Sequence, residues 1–225
     1  MNTIDKDSDN NDFSIAHTED NAAFVQPETT AARTEEKTGP AFFTVSENKL
    51  LNMYVLSFGL YGIYWFYQNW KLQQRFMDKK IYPVWRSLFA IIFIYPLFRR
   101  IQAHAGDIAR QEGFNPGFLA GLYIATFVLD TLADMINTNT TLLQGVSNAM
   151  LTVFSLAMFF ISAYPLMKAQ AVINRINGDI LGFQNNSYSL SSYLVIAFGL
   201  FVWMMFALGF LAESLGFMNG EYYEY

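Results

Sequence analysis

Residues 190–212 read LSSYLVIAFGLFVWMMFALGFLA and contain no charged side chain. A helix needs about 20 predominantly apolar residues, at about 1.5 Å each, to cross roughly 30 Å of hydrocarbon. This segment has that length, and so do residues 146–167, VSNAMLTVFSLAMFFISAYPLM, which are also uncharged. Both segments therefore predict transmembrane helices.

Three further apolar segments precede them. Residues 117–136 have the required length but include Asp130 and Asp134. Residues 50–67 are barely long enough, and residues 84–98 are shorter and contain an arginine. A water-soluble bundle of buried helices would need more polar covering helix than this chain contains. We therefore predict an all-α, polytopic transmembrane helical protein with about five membrane segments, three of full length and two of marginal length.

The first 40 residues differ in composition from the rest. They contain nine Asp or Glu residues and three Lys or Arg residues, with few apolar side chains between them. Such a segment cannot bury enough apolar surface to offset its ordering entropy, so we expect residues 1–40 to be a disordered acidic tail. They also lack the basic and apolar regions of a cleaved secretory signal. Residues 41–225 then form the membrane domain.

The distribution of Lys and Arg in the short loops predicts the orientation, because cytoplasmic loops carry an excess of these residues. Residues 99–116 and 168–189 are basic, whereas residues 137–145 and the C-terminus contain no Lys or Arg. We therefore place the first two regions in the cytoplasm. Residues 137–145 and the C-terminus then lie on the outer side of the membrane.

The first two segments conflict with this orientation, because the connector between them contains Lys71, Arg75, Lys79 and Lys80. If both segments span, this basic connector lies outside. If only the first spans, the acidic tail must cross the membrane. If both segments enter and return on the same side, every loop charge is cytoplasmic, with bends at Gly59, Gly62 or Pro96. We favour two spans with the tail inside, and the other two arrangements stay open.

Residues 58–70, FGLYGIYWFYQNW, contain seven aromatic side chains and are followed directly by Lys71. Trp and Tyr concentrate where a bilayer meets water, since the ring is apolar and its N–H or O–H needs a polar partner. We therefore predict interfacial anchors in this stretch, and an aromatic cage for a cation or a lipid-headgroup site are the alternatives. The predicted anchors are Tyr61, Tyr64, Trp65, Tyr67 and Trp70.

The same stretch carries a resemblance. FGLYGIYWFYQNWK resembles the signature of an uncharacterised family of small bacterial membrane domains, which is a Phe-Gly-x-Tyr-x-x-Tyr-Trp-x-Tyr run followed by basic residues. The resemblance covers about residues 42–75. It implies a bacterial inner-membrane location, in which residues 137–145 and the C-terminus lie in the periplasm. It brings no established activity and no catalytic residues.

Basic side chains follow several of the apolar segments. Each Lys or Arg close to anionic lipid contributes about 1 kcal/mol to membrane attraction. The lipid bilayer is therefore the first predicted partner, together with other membrane proteins or a second copy. Nucleic acid is not expected, because long apolar segments separate the bases. The predicted lipid-facing bases are Lys71, Arg75, Arg99, Arg100, Lys168 and Arg175.

Asp130 and Asp134 are four residues apart and share a helix face. An Asp at mid-membrane costs on the order of 3 kcal/mol, so such residues are often functional. Glu213 would lie at a similar depth, and the three carboxylates predict a cation or proton site. Alternatively, the helix tilts or ends early and both Asp lie in the headgroup layer. Further on, NRINGD (174–179) could form a polar site, although it reads first as a helix end.

No catalytic, phosphate-binding or dinucleotide motif occurs in the sequence. There is no Cys, which excludes disulfides, thiolate catalysis and cysteine-ligated metals. We expect no cofactor and no metal. The first functional hypothesis is a non-catalytic membrane interaction or assembly protein. The alternative is a transporter or small channel subunit that uses the intramembrane carboxylates, and a membrane enzyme comes third.

Overall fold

A computed structural model describes residues 39–139 and 148–215. These two ranges are helical and contain no strand. We number the helices α1 to α8 in chain order. They are α1 (Glu47–Leu56), α2 (Leu60–Gln73), α3 (Pro83–Leu88), α4 (Ala90–Ala105), α5 (Asp107–Gln111), α6 (Pro116–Asn139), α7 (Asn148–Ile176) and α8 (Leu190–Ser214). The N-terminal tail and residues 140–147 lie outside the described residues.

Three helices are long and apolar enough to cross a membrane, over Pro116–Asn137, Ala149–Ile176 and Ser192–Ala212. Within the most apolar window of each helix, only a small share is buried inside the protein. This share is 17% in α6, 17% in α7 and 6% in α8. Most of their apolar side chains therefore face the surroundings, as helices in lipid do. The three full-length predicted segments are confirmed as long apolar helices. They make the chain compatible with an integral membrane protein.

The predicted segment 50–67 is not one helix. α1 ends at Leu56, and a turn leads into α2 at Leu60. Phe58 and Gly59 have φ angles of 51° and 82°, which an α-helix cannot contain. α1 has 10 residues and α2 has 14, or about 15 Å and 21 Å of helix. Neither of them alone is long enough to span a bilayer.

α1 and α2 form a hairpin whose two open ends meet. The Gln73 side chain at the end of α2 donates a hydrogen bond to the Ala41 carbonyl, 2.9 Å away, just ahead of α1. The turn of the hairpin lies deep along α8. There the Phe58 ring stacks on Trp203 at 4.7 Å, and Trp203 Nε1 donates to the Val55 carbonyl at 3.0 Å. The chain therefore enters the bundle and returns to the same end.

The predicted segment 84–98 is interrupted as well. α3 has only six residues, and the chain bends at Phe89 before α4. α4 returns to the same end as α2, where Arg100 donates to the Gln73 side chain at 3.4 Å. The bend is not at Pro96, because α4 continues through it. Of the three proposed bend points, only Gly59 lies where a helix breaks; Gly62 lies inside α2.

The α1–α2 hairpin, a second hairpin formed by α3 and α4, and α7 enclose the hydrophobic core at this end of the bundle. Its largest side chains are fully buried. Members of the core are Phe42, Trp65, Phe66, Trp70, Ile94, Leu97, Phe98, Ile101, Leu166 and Ile173. The opposite end, where the hairpin turns meet α6 and α8, is more open and contains cavities.

Close backbone approach fixes α8 against the first hairpin. A Cβ atom built on Gly199 would overlap the carbonyl oxygen of Leu56 and lie 2.7 Å from its carbonyl carbon. Glycine is the residue that permits such an approach. Gly199 therefore determines how deeply the end of α1 sits against α8.

Candidate functional site

A group of amide side chains, most of them fully buried, holds an irregular segment at one end of the bundle. Residues 41–46 belong to no helix or strand, so their backbone groups need hydrogen bonds from elsewhere. We call the side chains that supply them the amide clamp. The clamp consists of Asn69, Gln73, Gln170, Asn174, Asn177 and Asn185.

Gln170 is the centre of the clamp and is fully buried. Its Oε1 accepts a hydrogen bond of 2.6 Å from Trp65 Nε1, and its Nε2 donates to the Phe43 carbonyl at 3.1 Å and to Asn174 Oδ1 at 2.7 Å. Asn174 then donates to the Val45 carbonyl at 3.0 Å. Because buried amides are costly unless satisfied, this connected network favours one position of the segment.

The remaining clamp residues bind the same segment from both sides. Asn69 Oδ1 accepts from the Phe43 amide at 3.1 Å. Asn177 Nδ2 donates to the Phe42 carbonyl at 2.9 Å and to Thr44 Oγ1 at 2.8 Å. The acidic residues 1–38 directly precede this segment in the sequence. The clamp therefore fixes the point at which the acidic segment joins the membrane domain.

The NRINGD stretch (174–179) forms both a helix end and a polar site. α7 ends at Ile176, and Gly178 has a positive φ of 70°, as expected at a helix end. Asp179 accepts from the amides of Phe183 and Gln184, both at 2.9 Å. Asn174 and Asn177 form a polar site as well, but its ligand is the chain's own backbone.

Trp65 and Trp70 do not lie at a lipid interface, in contrast to their predicted role. Both side chains are fully buried in the core, because α2 packs inside the bundle instead of on its surface. Among the other predicted anchors, Tyr61 and Tyr67 are half-buried and Tyr64 is exposed. Interfacial anchoring by these three tyrosines remains a prediction.

The predicted lipid-facing bases lie at the same end as the clamp. Arg100 contacts Gln73, and Arg75 lies beside Gly39. Lys71 is exposed above the Tyr67 ring, 6.0 Å from its centroid. Arg99 is exposed and donates to the Tyr95 hydroxyl at 3.4 Å.

Lys168 and Arg175 belong to a mixed-charge pocket. Arg175 forms an ion pair with Glu112 at 2.6 Å, so part of its charge is neutralised inside the protein. Lys168 lines the pocket with Glu47. Burial raises the pKa of Glu47, the charge of Glu112 adds to the rise, and Lys168 opposes it.

Asp130 and Asp134 share a cavity of about 470 Å³. Asn137, Thr152 and Ser155 add polar groups to its wall, and its remaining lining is apolar. The two carboxylates are thus brought together as predicted. The side chain of Glu213 lies outside the described residues.

Asp130 also borders a second cavity of about 370 Å³, next to the turns of both hairpins. Phe58 lies between the two cavities and lines both. Asp130 Oδ1 is buried and has no hydrogen-bond partner among the residues that the structure describes. An unsatisfied buried carboxylate oxygen is costly and rare, and a bound proton or cation would satisfy it. No cluster of three His, Asp or Glu side chains that could hold a metal occurs in residues 39–139 and 148–215.

Asn69, Gln170 and Lys49 were not predicted from the sequence. One signal for the amides was present, because Gln170 and Asn174 are spaced by one helical turn on an otherwise apolar face. Lys49 gave no comparable signal, since a single Lys at the start of an apolar segment usually lies in water.

Comparison of the chain with protein-family models, curated proteins and solved structures gives no match. The resemblance of residues 42–75 to a bacterial membrane-domain family therefore rests on the aromatic motif alone.

Proposed function

We propose that the chain is a multi-pass protein of the bacterial inner membrane with three spanning helices and two re-entrant hairpins. The basic connector 71–82, the basic end of α4 and the basic end of α7 lie together at the clamp end. With that end in the cytoplasm, every basic loop obeys the positive-inside rule. This arrangement replaces the five-span arrangement favoured by hydropathy.

We propose further that the chain is a non-catalytic assembly protein. In this role it holds the acidic segment, residues 1–38, at the cytoplasmic face. The amide clamp is the observation that carries this proposal. Each of the six clamp amides binds residues 41–46, next to a segment with nine acids and three bases. A segment of that charge attracts basic protein surfaces and is repelled by anionic lipid, so its chemistry fits a basic protein partner better than the membrane surface.

Single cysteines test the topology, because the chain contains none. In intact cells, a membrane-impermeant maleimide should label Leu142→Cys and should not label Thr38→Cys or Asp78→Cys. After permeabilisation all three should react. Labelling of Asp78→Cys in intact cells would contradict the re-entrant arrangement, since that position would then lie outside.

The same Thr38→Cys variant tests the assembly role when it carries a photocrosslinker. We expect a discrete crosslinked partner in cells, and its loss when the nine acids of the segment are replaced by the corresponding amides. As the control, labelling of Leu142→Cys in the neutralised chain shows whether that chain still inserts into the membrane. Equal crosslinking by the neutralised chain would show that the charge of the segment plays no part.

A cation- or proton-conducting role is the second candidate, and the unpartnered Asp130 Oδ1 favours it. Asp130 lies about 21 Å along α6 from Pro116, at the level where the hairpin turns meet. Irregular backbone at membrane depth is tolerated where it is buried in protein or lines a water-filled cavity. Transporters place ion sites at such broken helices.

Asp130→Asn should reduce proton or monovalent-cation flux in proteoliposomes by about tenfold or more, because the amide cannot carry the charge. Asp107→Asn, at an exposed position on α5, is the matched control and should leave the flux unchanged. A wild-type protein that conducts no ion in this assay, or an Asp130→Asn variant with full flux, would remove this candidate.

A further inference from the structure

A groove of about 930 Å³ lies between the first hairpin and α8. One wall is formed by α1 and the start of α2. The other wall is formed by the 185–189 loop and the first turns of α8. Its lining extends from Ser189 to Val202, or about 20 Å along the helix, which exceeds the thickness of one hydrocarbon leaflet.

The groove is polar at one end and mostly apolar along the rest. The polar end, which we call the mouth, contains Lys49, Asn185, Ser187, Tyr188, Ser189 and Ser192. The rest of the lining is mostly apolar, with Met53, Leu56, Phe58, Leu60, Leu194, Val195, Phe198 and Val202, and Ser57, Tyr61 and Tyr64 add hydroxyl groups to it. Leu194 and Phe198 are about two-thirds exposed, so the apolar part opens sideways to the membrane. This division matches a molecule with a polar head and an acyl chain.

Lys49 provides charge at the mouth. Its side chain is only 6% exposed, and its ammonium donates to Asn185 Oδ1 at 2.8 Å, to the Ser187 carbonyl at 2.7 Å and to the Asn185 carbonyl at 3.4 Å. These acceptors are neutral, and Lys49 forms no ion pair with any residue that the structure describes. A buried cation without a counter-charge is costly to maintain. Burial lowers the pKa of Lys49 accordingly.

A second source of positive potential faces the mouth. α8 has 25 residues and begins at Leu190, so the positive end of its helix dipole lies beside Ser189 and Ser192. The Ser187 and Tyr188 hydroxyls add hydrogen-bonding groups on the same side. The mouth therefore has the charge and the donors to bind a phosphate group.

We infer that this groove binds one anionic phospholipid of the cytoplasmic leaflet, with its phosphodiester at Lys49 and an acyl chain between α1 and α8. The headgroup supplies the counter-charge that Lys49 lacks. The acyl chain covers Leu56 and Phe198, and the bound lipid joins the re-entrant hairpin to α8. The inference depends on the membrane location proposed above and is independent of both the acidic segment and Asp130.

Native mass spectrometry of the purified full chain in detergent tests this inference. Phosphatidylglycerol should bind about fivefold or more tightly than phosphatidylcholine with identical acyl chains, as expected for one uncompensated cation. Lys49→Met should remove this preference. Lys80→Met, at an exposed position in the connector, should retain it. Equal affinity of the wild-type chain for the two lipids would overturn the inference.

A second pair of variants tests the apolar part of the groove separately from the charge of Lys49. This test also works if the chain does not fold once Lys49 is replaced. Val195→Trp should fill the apolar part and weaken the first binding of both lipids, whereas Leu200→Trp, on α8 outside the groove, should not. Unchanged lipid binding by Val195→Trp would overturn the inference. So would competition by inorganic phosphate at millimolar concentration, since the acyl chain would then contribute nothing. The cysteine-labelling experiment tests the membrane topology by itself, so a failure of the proposed topology can be told apart from a failure of the lipid-binding inference.

Discussion

Gly199→Ala should lower the free energy of unfolding by about 2–3 kcal/mol and the melting temperature by roughly 5–10 °C. The added methyl group would overlap the Leu56 carbonyl oxygen, which is backbone and cannot rotate away. α8 must therefore move off the end of α1. This movement would break the hydrogen bond of 3.0 Å from Trp203 Nε1 to the Val55 carbonyl and the stacking of Phe58 on Trp203.

Gly209→Ala on the same helix is the matched control. A Cβ atom at Gly209 would have no neighbour within 4 Å. Helix propensity alone makes Ala about 0.5–1 kcal/mol better than Gly at an interior helical position, so this variant should be as stable as the wild type or more so. Thermal unfolding in detergent, followed by Trp fluorescence, measures both. If the two variants shifted in the same direction, close packing at Gly199 would not be the cause.

Gln170→Leu should destabilise the clamp end by about 3–9 kcal/mol, although hydropathy alone favours Leu in a membrane helix. The change leaves Trp65 Nε1, the Phe43 carbonyl and Asn174 Oδ1 without their bonds to Gln170. An unsatisfied buried group costs about 1–3 kcal/mol, which accounts for this range.

Limited trypsin digestion provides a local measurement of this second effect. Lys49 is buried in the wild type, so cleavage after it requires residues 41–56 to open. Gln170→Leu should make Lys49 a prominent early cleavage site. Gln111→Leu, at an exposed position on α5, should leave the digestion pattern unchanged. Wild-type protection of Lys49 in the Gln170→Leu chain would mean that the clamp does not hold the segment.

Both variants bear on function as well as stability. Displacement of α8 by Gly199→Ala widens the apolar part of the groove next to Leu56 and should weaken the binding of the anionic lipid. Release of residues 41–46 by Gln170→Leu frees the junction of the acidic segment. The crosslinking assay with Thr38→Cys then shows whether a partner requires a fixed junction or only the charge.

Hydropathy predicted the three long helices α6, α7 and α8 correctly. The preference of a helix for lipid is a sum over its own side chains, so it can be read from consecutive residues without knowledge of their neighbours. The i, i+4 spacing likewise placed Asp130 and Asp134 on one face, and both line the same cavity. These properties are local, and a single sequence contains them.

The course of residues 41–105 was decided by tertiary contacts. Hydropathy treats 50–67 as one marginal span, but the chain reverses at Phe58–Gly59. There the turn packs against Trp203 of α8. Trp65 and Trp70 enter the core because α3, α4 and α7 surround α2. The amides of α2 and α7 are satisfied by residues 41–46, more than 25 positions away from Asn69 and more than 100 from Gln170. Such pairings depend on which segments meet in space, and the pattern along one segment does not contain that information.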